Sequence, residues 1–326
     1  MRYGVTLQGR EDPATFAETA AWIESLGYEQ LWITDSSLHA GDVYVYATVA
    51  LQSTERLVVG TAVTNPLTRH PGVTANALRS LHELAPGRVV CGIGVGDRPL
   101  HELGLPFAKL ATLADTIAVL RRLWRGETID GRVGPHRFES ARLPTAVPEI
   151  PLYVAASGPR ALELAGEHGD GAIVLAGLFP EALAYTRERI AAGRSRSRRD
   201  AFEVVAFLYG AIDEYEDAAL EAGRSIAAWF PQTAPAHARL AGMSDELIDR
   251  VAAAYAGGEF QEAAAAARLI PDELVQKLAF VGTPATAAQK LDSLHGEGLD
   301  AVSIFPLGDS RRETIAAFAG LAFART

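Results

Sequence analysis

Short β-branched runs alternate with amphipathic helical stretches along this chain, and that alternation constrains its fold more than any other feature. Tyr3–Leu7 reads as a strand, and a helix over Pro13–Ser25 follows and stops at Gly27. The pairing recurs as Gln30–Thr34 with Val43–Gln52, Leu57–Val63 with Val73–Leu84, and Arg88–Gly94 with Leu110–Trp124. It continues as Pro151–Ala156 with Arg160–His168 and Gly171–Leu175 with Pro180–Ala192. The last two pairs are Glu203–Ala211 with Asp217–Trp229 and Ala301–Pro306 with Arg312–Ala324. Alternating units of this kind imply parallel strands joined by crossover helices. Eight of them predict a closed (β/α)8 TIM barrel, one unit spanning residues 1–326. Two segments interrupt the repeat. Residues 127–150 contain Gly131, Gly134 and Pro135 and read as a hairpin insertion before the fifth strand. Residues 234–278 are Ala-rich and read as a helical insertion between the seventh and eighth strands.

Composition narrows the function classes. With 48% hydrophobic and 21% charged residues over 326 positions, the chain can fill a core and is not disordered in general. Forty acidic against thirty basic side chains give a net charge of −10, unsuited to nucleic acid or an anionic membrane surface. The basic cluster Arg194, Arg196, Arg198 and Arg199 reads as the solvated end of a helix, because no aromatic residues interleave with it. Apolar runs such as Val89–Val95 fall short of the ~18 residues a spanning helix needs. Met1–Val5 leads straight into a strand-like run without the apolar region of a secretory signal. The single cysteine, Cys91, fits a reducing cytoplasm.

In a barrel, ligands bind where the strands end, so the residues just after each strand matter most. Asp35 follows the second strand and reads either as a carboxylate for a ligand or as a cap for the next helix. After the third strand runs Ala62-Val63-Thr64-Asn65-Pro66-Leu67-Thr68-Arg69-His70-Pro71, dense in polar groups and stiffened by proline. Pro71 suits a helix start. Arg69 and His70 could contact an anion or decorate a loop, and a lone histidine such as His70 is more often structural. After the fourth strand, Gly92-Ile93-Gly94-Val95-Gly96-Asp97 is not a dinucleotide fingerprint: the spacing is GxGxG and Pro99 follows. The glycines suggest close approach of a flat ligand to the backbone. Asp97 is a second carboxylate at the mouth or a turn residue. Ser157 reads as an N-cap, with Gly158 and Pro159 opening the next helix. Together with Gly177 and Leu178 after the sixth strand, this start suits a phosphate. The sequence carries no HExxH, Cys-rich or GxSxG pattern, so no metal site and no nucleophile elbow is expected, and an organic cofactor must supply the chemistry.

Taken together, these strand ends resemble the bacterial luciferase-like superfamily. The nearer likeness is to its coenzyme F420 (deazaflavin)-dependent branch, typified by methylenetetrahydromethanopterin reductase. The specific segments are Gly60–Pro71, Leu81-His82-Glu83-Leu84-Ala85-Pro86-Gly87-Arg88 and Gly92–Asp97, with Gly282-Thr283-Pro284 and Phe305-Pro306-Leu307-Gly308 also fitting. The resemblance implies a barrel with its cofactor at the C-terminal face, backed by a bulge whose non-prolyl cis peptide falls at Ala62–Val63. It places Asp35 and Asp97 near the cofactor ring and Asn65 in the bulge, with Asp97 or water as proton source. Thr64, Gly94 and Gly96 line the same site. Ser157, Gly158, Pro159, Gly177 and Leu178 hold the phosphate side. Many deazaflavin relatives have Asp-His after the second strand, whereas this chain has Asp35-Ser36, and His39 is no simple substitute. That favours reduction of an imine or activated alkene over alcohol oxidation. The alternatives are an FMN-dependent monooxygenase on the same barrel and a non-catalytic flavin-binding barrel. The expected partner is a small-molecule substrate, with the chain as a homodimer.

Overall fold

The computed structural model describes residues 1–96, 98–255 and 263–324. Eight parallel strands close into a barrel: β1 (Arg2–Leu7), β2 (Gln30–Ile33), β3 (Val58–Thr61), β4 (Val89–Ile93), β7 (Leu152–Ala156), β8 (Gly171–Val174), β9 (Glu203–Ile212) and β11 (Ala301–Pro306). Closure is made by Arg2 opposite Ala301 and by Gly171 opposite Glu203. Helices α1 (Pro13–Ser25), α2 (Val43–Ser53), α3 (Pro71–Leu84) and α5 (Leu110–Trp124) follow the first four strands, after a short helix α4 (Arg98–Glu102) on the β4 loop. Helices α6 (Pro159–His168), α7 (Pro180–Arg194), α8 (Glu216–Thr233) and α14 (Arg311–Phe323) complete the ring.

Both faces of each strand are buried, which is why the strands read as nearly continuous apolar runs. Leu31 and Ile33 of β2 face the helices, while Trp32 between them faces the barrel interior. There it packs on Phe207 and Tyr153, with ring centroids 5.7 and 5.9 Å apart. Val90, Ile173 and Val205 fill the same interior. Local chemistry sets the helix ends. Asp12 caps α1 by accepting from Ala14 N and Thr15 N, and Gly27 leaves it with φ +98°.

The insertion over residues 127–150 is the expected hairpin, β5 (Ile129–Val133) against β6 (His136–Ala141). In the second insertion the described residues form α9 (Pro235–Leu240), α10 (Asp245–Ala254), α11 (Ala264–Ala267) and α12 (Asp272–Leu278). Their apolar faces share a core with α8. Beyond it lies a unit that the alternation does not announce. A three-residue strand β10 (Phe280–Gly282) adds to the outer half of β9 and is followed by α13 (Pro284–Ser293), capped by Thr283. A strand this short has no periodicity of its own and exists through its pairing with Gly210–Ile212. Among the described residues no helix is long and apolar enough to cross a membrane. At the end of α7, Arg194 covers the Phe202 ring, and beyond it Arg196 pairs with Glu167 and Arg199 with Asp170 and Glu149.

Candidate functional site

At the C-terminal rim, β3 leaves its ladder early. Gly60 lies opposite Val90, and the next contact between the strands is Thr64 with Ile93. The chain therefore advances four residues on β3 against three on β4, and the extra residue makes a bulge. Thr64 N donates to Gly92 O and Gly94 N donates to Thr64 O, each at 2.9 Å, which pins the bulge on both sides. The Ala62–Val63 peptide within it is cis, at the expected position. Ala62 and Val63 pack with Ala155 and Tyr209 on top of the barrel's interior core, so the floor of the mouth is apolar.

Gly92 within β4 and Gly94 and Gly96 beyond it are each constrained by the chain itself. A Cβ on Gly92 would stand 2.0 Å from Thr61 O, and one on Gly94 would meet Val63 and Ala155 at 3.1 and 3.3 Å. The bulge itself occupies the space beside them. Gly96 has φ +91°, and a Cβ there would strike Leu100. Asp97 lies outside the described residues.

Asp35 is not a helix cap. Asp42 caps α2, accepting from Tyr44 N at 2.9 Å, while the Asp35 side chain is only 2% exposed. The Asp35 carboxylate is met by Arg69, whose Nη1 donates to Oδ2 at 2.6 Å, and Arg69 Nη2 donates to Asp42 Oδ2 at 2.7 Å. The guanidinium also lies over the Tyr44 ring, 5.0 Å from its centroid. Burial pushes the Asp35 carboxyl above its ordinary value, and Arg69 with the Thr64 hydroxyl works against that push. His70 is structural. Its Nδ1 accepts from Gly72 N and caps α3, which begins at Pro71 as expected, and its ring packs on Phe138 of the hairpin. Asn65 closes its own loop, Oδ1 accepting from Leu67 N and Thr68 N, both at 2.9 Å.

Ser157 is not the cap of α6. Gly158 holds that position without a side-chain cap, and Ser157 Oγ donates to Thr233 O at 2.7 Å instead. Two N–H groups of the loop after β8 are donated within the protein, Leu178 N to Lys277 O at 3.0 Å and Gly177 N to His237 Nδ1 at 3.4 Å. His237 is fully buried, and burial lowers its pKa to about 4.

Of the buried polar residues near the strand ends, the sequence names Asp35, Thr64 and Asn65 as site residues and passes over the others. Among the described residues, the buried atoms Gln8 Oε1, Thr34 Oγ1, Tyr44 Oη, Thr64 Oγ1 and Thr68 Oγ1 have no well-formed hydrogen bond. All five sit at the ends of β1, β2 and β3 or on the first turn of α2. Buried polar atoms are rarely left so; Thr74, Thr116, Arg121 Nε, Arg189 Nε and His237 Nε2 are in the same condition elsewhere in the fold, and the Thr64 hydroxyl still acts on Asp35 and Tyr44. The position of Thr34 and Gln8 just after strands was an available signal. Tyr44 and Tyr209 carried none.

A family model described as luciferase-like monooxygenase matches residues 1–301. The chain belongs to that family. The resemblance read from the strand ends therefore holds. Among relatives of this luciferase-like chain, 5,10-methylenetetrahydromethanopterin reductase of Archaeoglobus fulgidus is 29% identical over 304 residues, covering 90% of each chain. An F420-dependent glucose-6-phosphate dehydrogenase of Beutenbergia cavernae is 40% identical over 170 residues, 47% of this chain and 50% of the relative. The solved structure of coenzyme F420-dependent tetrahydromethanopterin reductase from Methanopyrus kandleri superposes with a TM-score of 0.84 at 24% identity. That match covers 98% of this chain and 97% of the other, so the luciferase-like barrel is shared throughout.

Proposed function

We propose that this chain is a coenzyme F420-dependent oxidoreductase that reduces an imine or activated alkene of a small molecule. The observation that carries the reading is the rim just described: an apolar bulge floor beside buried polar side chains, in a chain whose relatives include enzymes named for this cofactor. A flat heteroaromatic ring with several N–H and C=O groups would fit both features, with Ala62 and Val63 to hold its face and Thr34, Thr64 and Gln8 to hold its edge. Reduced coenzyme F420 supplies a hydride when bound. The protein's part is to hold the ring's edge with Asp35, exclude water from its face with the bulge, and deliver a proton from Asp97 or from solvent. The start of α6 at Gly158 and Pro159 carries no side-chain cap and takes the phosphate side, where peptide N–H groups favour an anion. Ser36 follows Asp35 where a histidine would serve alcohol oxidation, and His39 is engaged with Glu102. Both features support reduction.

The family's description as monooxygenases keeps an FMN-dependent reaction as the second reading. Fluorescence titrations of the purified protein with coenzyme F420 and with FMN separate the two. Tight binding of coenzyme F420 with weak binding of FMN is expected, and the reverse overturns the assignment. Tight binding without turnover of any imine or alkene in a broad panel leaves a non-catalytic binding barrel. We further propose a cytoplasmic homodimer, which a monomer mass in light scattering would refute.

A further inference from the structure

We propose that Arg69 is a positioning residue that keeps Asp35 as an ionised carboxylate in one orientation at the barrel mouth. The geometry is a two-pronged clamp. One nitrogen of the guanidinium holds Asp35 and the other holds Asp42, which is itself fixed as the cap of α2. Tyr44, on the first turn of the same helix, supports the cation from its ring face. The Arg69 side chain is 18% exposed and Asp42 45%, so the clamp runs from a dry carboxylate to a wet one.

The consequence follows from what a carboxyl can offer in each state. Burial as deep as that of Asp35 favours the protonated form, which donates one hydrogen bond. The ionised form only accepts. A cation in contact restores the ionised form. The groups facing Asp35 are Arg69 and the Thr64 hydroxyl from the β3 side and Asp42 and Tyr44 from α2. Asp42 opposes ionisation of Asp35 and the Tyr44 phenol stays neutral, so among them Arg69 supplies the positive charge. Arg69 therefore decides whether the rim presents a charged, acceptor-only carboxylate to a ring N–H or a neutral carboxyl that accepts more weakly and carries a donor of its own. This inference rests on the proposal that the cofactor ring reaches Asp35, but the state of the carboxyl can be measured without any cofactor.

The test is a carboxyl-carbon NMR titration of the full chain labelled at aspartate, with the Asp35 signal assigned by Asp35→Asn. In Arg69→Met the Asp35 midpoint is expected to rise by about one to three pH units. Arg69→Lys keeps the charge without the fork and should fall between. Asp42→Asn removes a charge that opposes ionisation and should lower the midpoint, and Arg69→Gln, which also removes the cation, keeps the test available if Arg69→Met does not fold. In parallel, coenzyme F420 binding to Arg69→Met should weaken roughly tenfold more below its raised midpoint than above it, with the pH dependence shifted upward from that of wild type. An unmoved Asp35 midpoint in a folded Arg69→Met or Arg69→Gln protein overturns the role of Arg69. A moved midpoint in a protein whose wild type binds no coenzyme F420 upholds that role and overturns the cofactor assignment instead.

Discussion

His237 accepts the backbone N–H of Gly177 through Nδ1, so a residue of the inserted helices holds the loop at the end of a barrel strand. Its ring is fully buried and packs edge-on against Tyr185 of α7. Ser157 makes a second tie on this side, to Thr233 at the end of the ring helix α8. The rim on this side is shaped jointly by barrel loops and by elements outside the eightfold repeat.

Acid should therefore loosen this side. The folded pKa of His237, about 4, lies below its ordinary 6.5, so between these values the unfolded chain binds more protons. Its stabilising contribution is complete above the unfolded value and is lost as pH falls towards 4. The loss is on the order of 3 kcal/mol. His237→Asn retains an acceptor for Gly177 and removes the titration. Denaturant unfolding at pH 7 and pH 4.5 should show a smaller pH difference for the variant than for wild type.

Gly92→Ala should damage the fold, because its methyl group would stand 2.0 Å from the Thr61 carbonyl oxygen in the pinned part of the bulge. A cost of about 3 kcal/mol or more is expected. Gly158→Ala is the control, since open space surrounds that position and φ is −85°. It should change stability by no more than about 1 kcal/mol. Equal unfolding midpoints for the two variants would contradict this account of the rim.

Asp35→Ala should weaken coenzyme F420 binding by roughly tenfold or more, the range for losing a hydrogen bond to a charged group. Asp35→Asn preserves the shape and should also weaken it. A dissociation constant unchanged in both variants removes Asp35 from the site.

For Asp97→Asn, slower turnover with cofactor affinity largely kept is expected if the carboxyl donates the proton. Stopped-flow reduction and an equilibrium titration on the same preparation separate the two quantities. Turnover at the wild-type rate would assign the proton to solvent.

Much of the architecture was legible because it is local. Pro13–Ser25, Leu110–Trp124 and Ala301–Pro306 fall where the residue pattern places them, since apolar periodicity and end signals act within a few residues. The hairpin was readable from its glycines for the same reason. The third strand ends at Thr61 rather than Val63, because its end depends on how many residues β4 spends over the same distance. β10 was illegible, since three residues pair only where β9 has already been placed.

At the rim the division is sharper. Sequence placed Asp35, the bulge segment and the start of α6 at strand ends, because alternation alone brings all strand ends to one face of a barrel. It left open whether Asp35 caps a helix, and the structure answers by giving that task to Asp42 and joining Asp35 to Arg69, 34 residues away. It took Ser157 for a cap, whereas Thr233 is what its hydroxyl meets. Order along the chain determines which residues reach the mouth, through hydrophobic patterning that every turn and strand repeats. Which of those residues touch, and which are left with unmet polar atoms, depends on side chains far apart in sequence packing into one small volume, and only the closed barrel with its insertions brings them there.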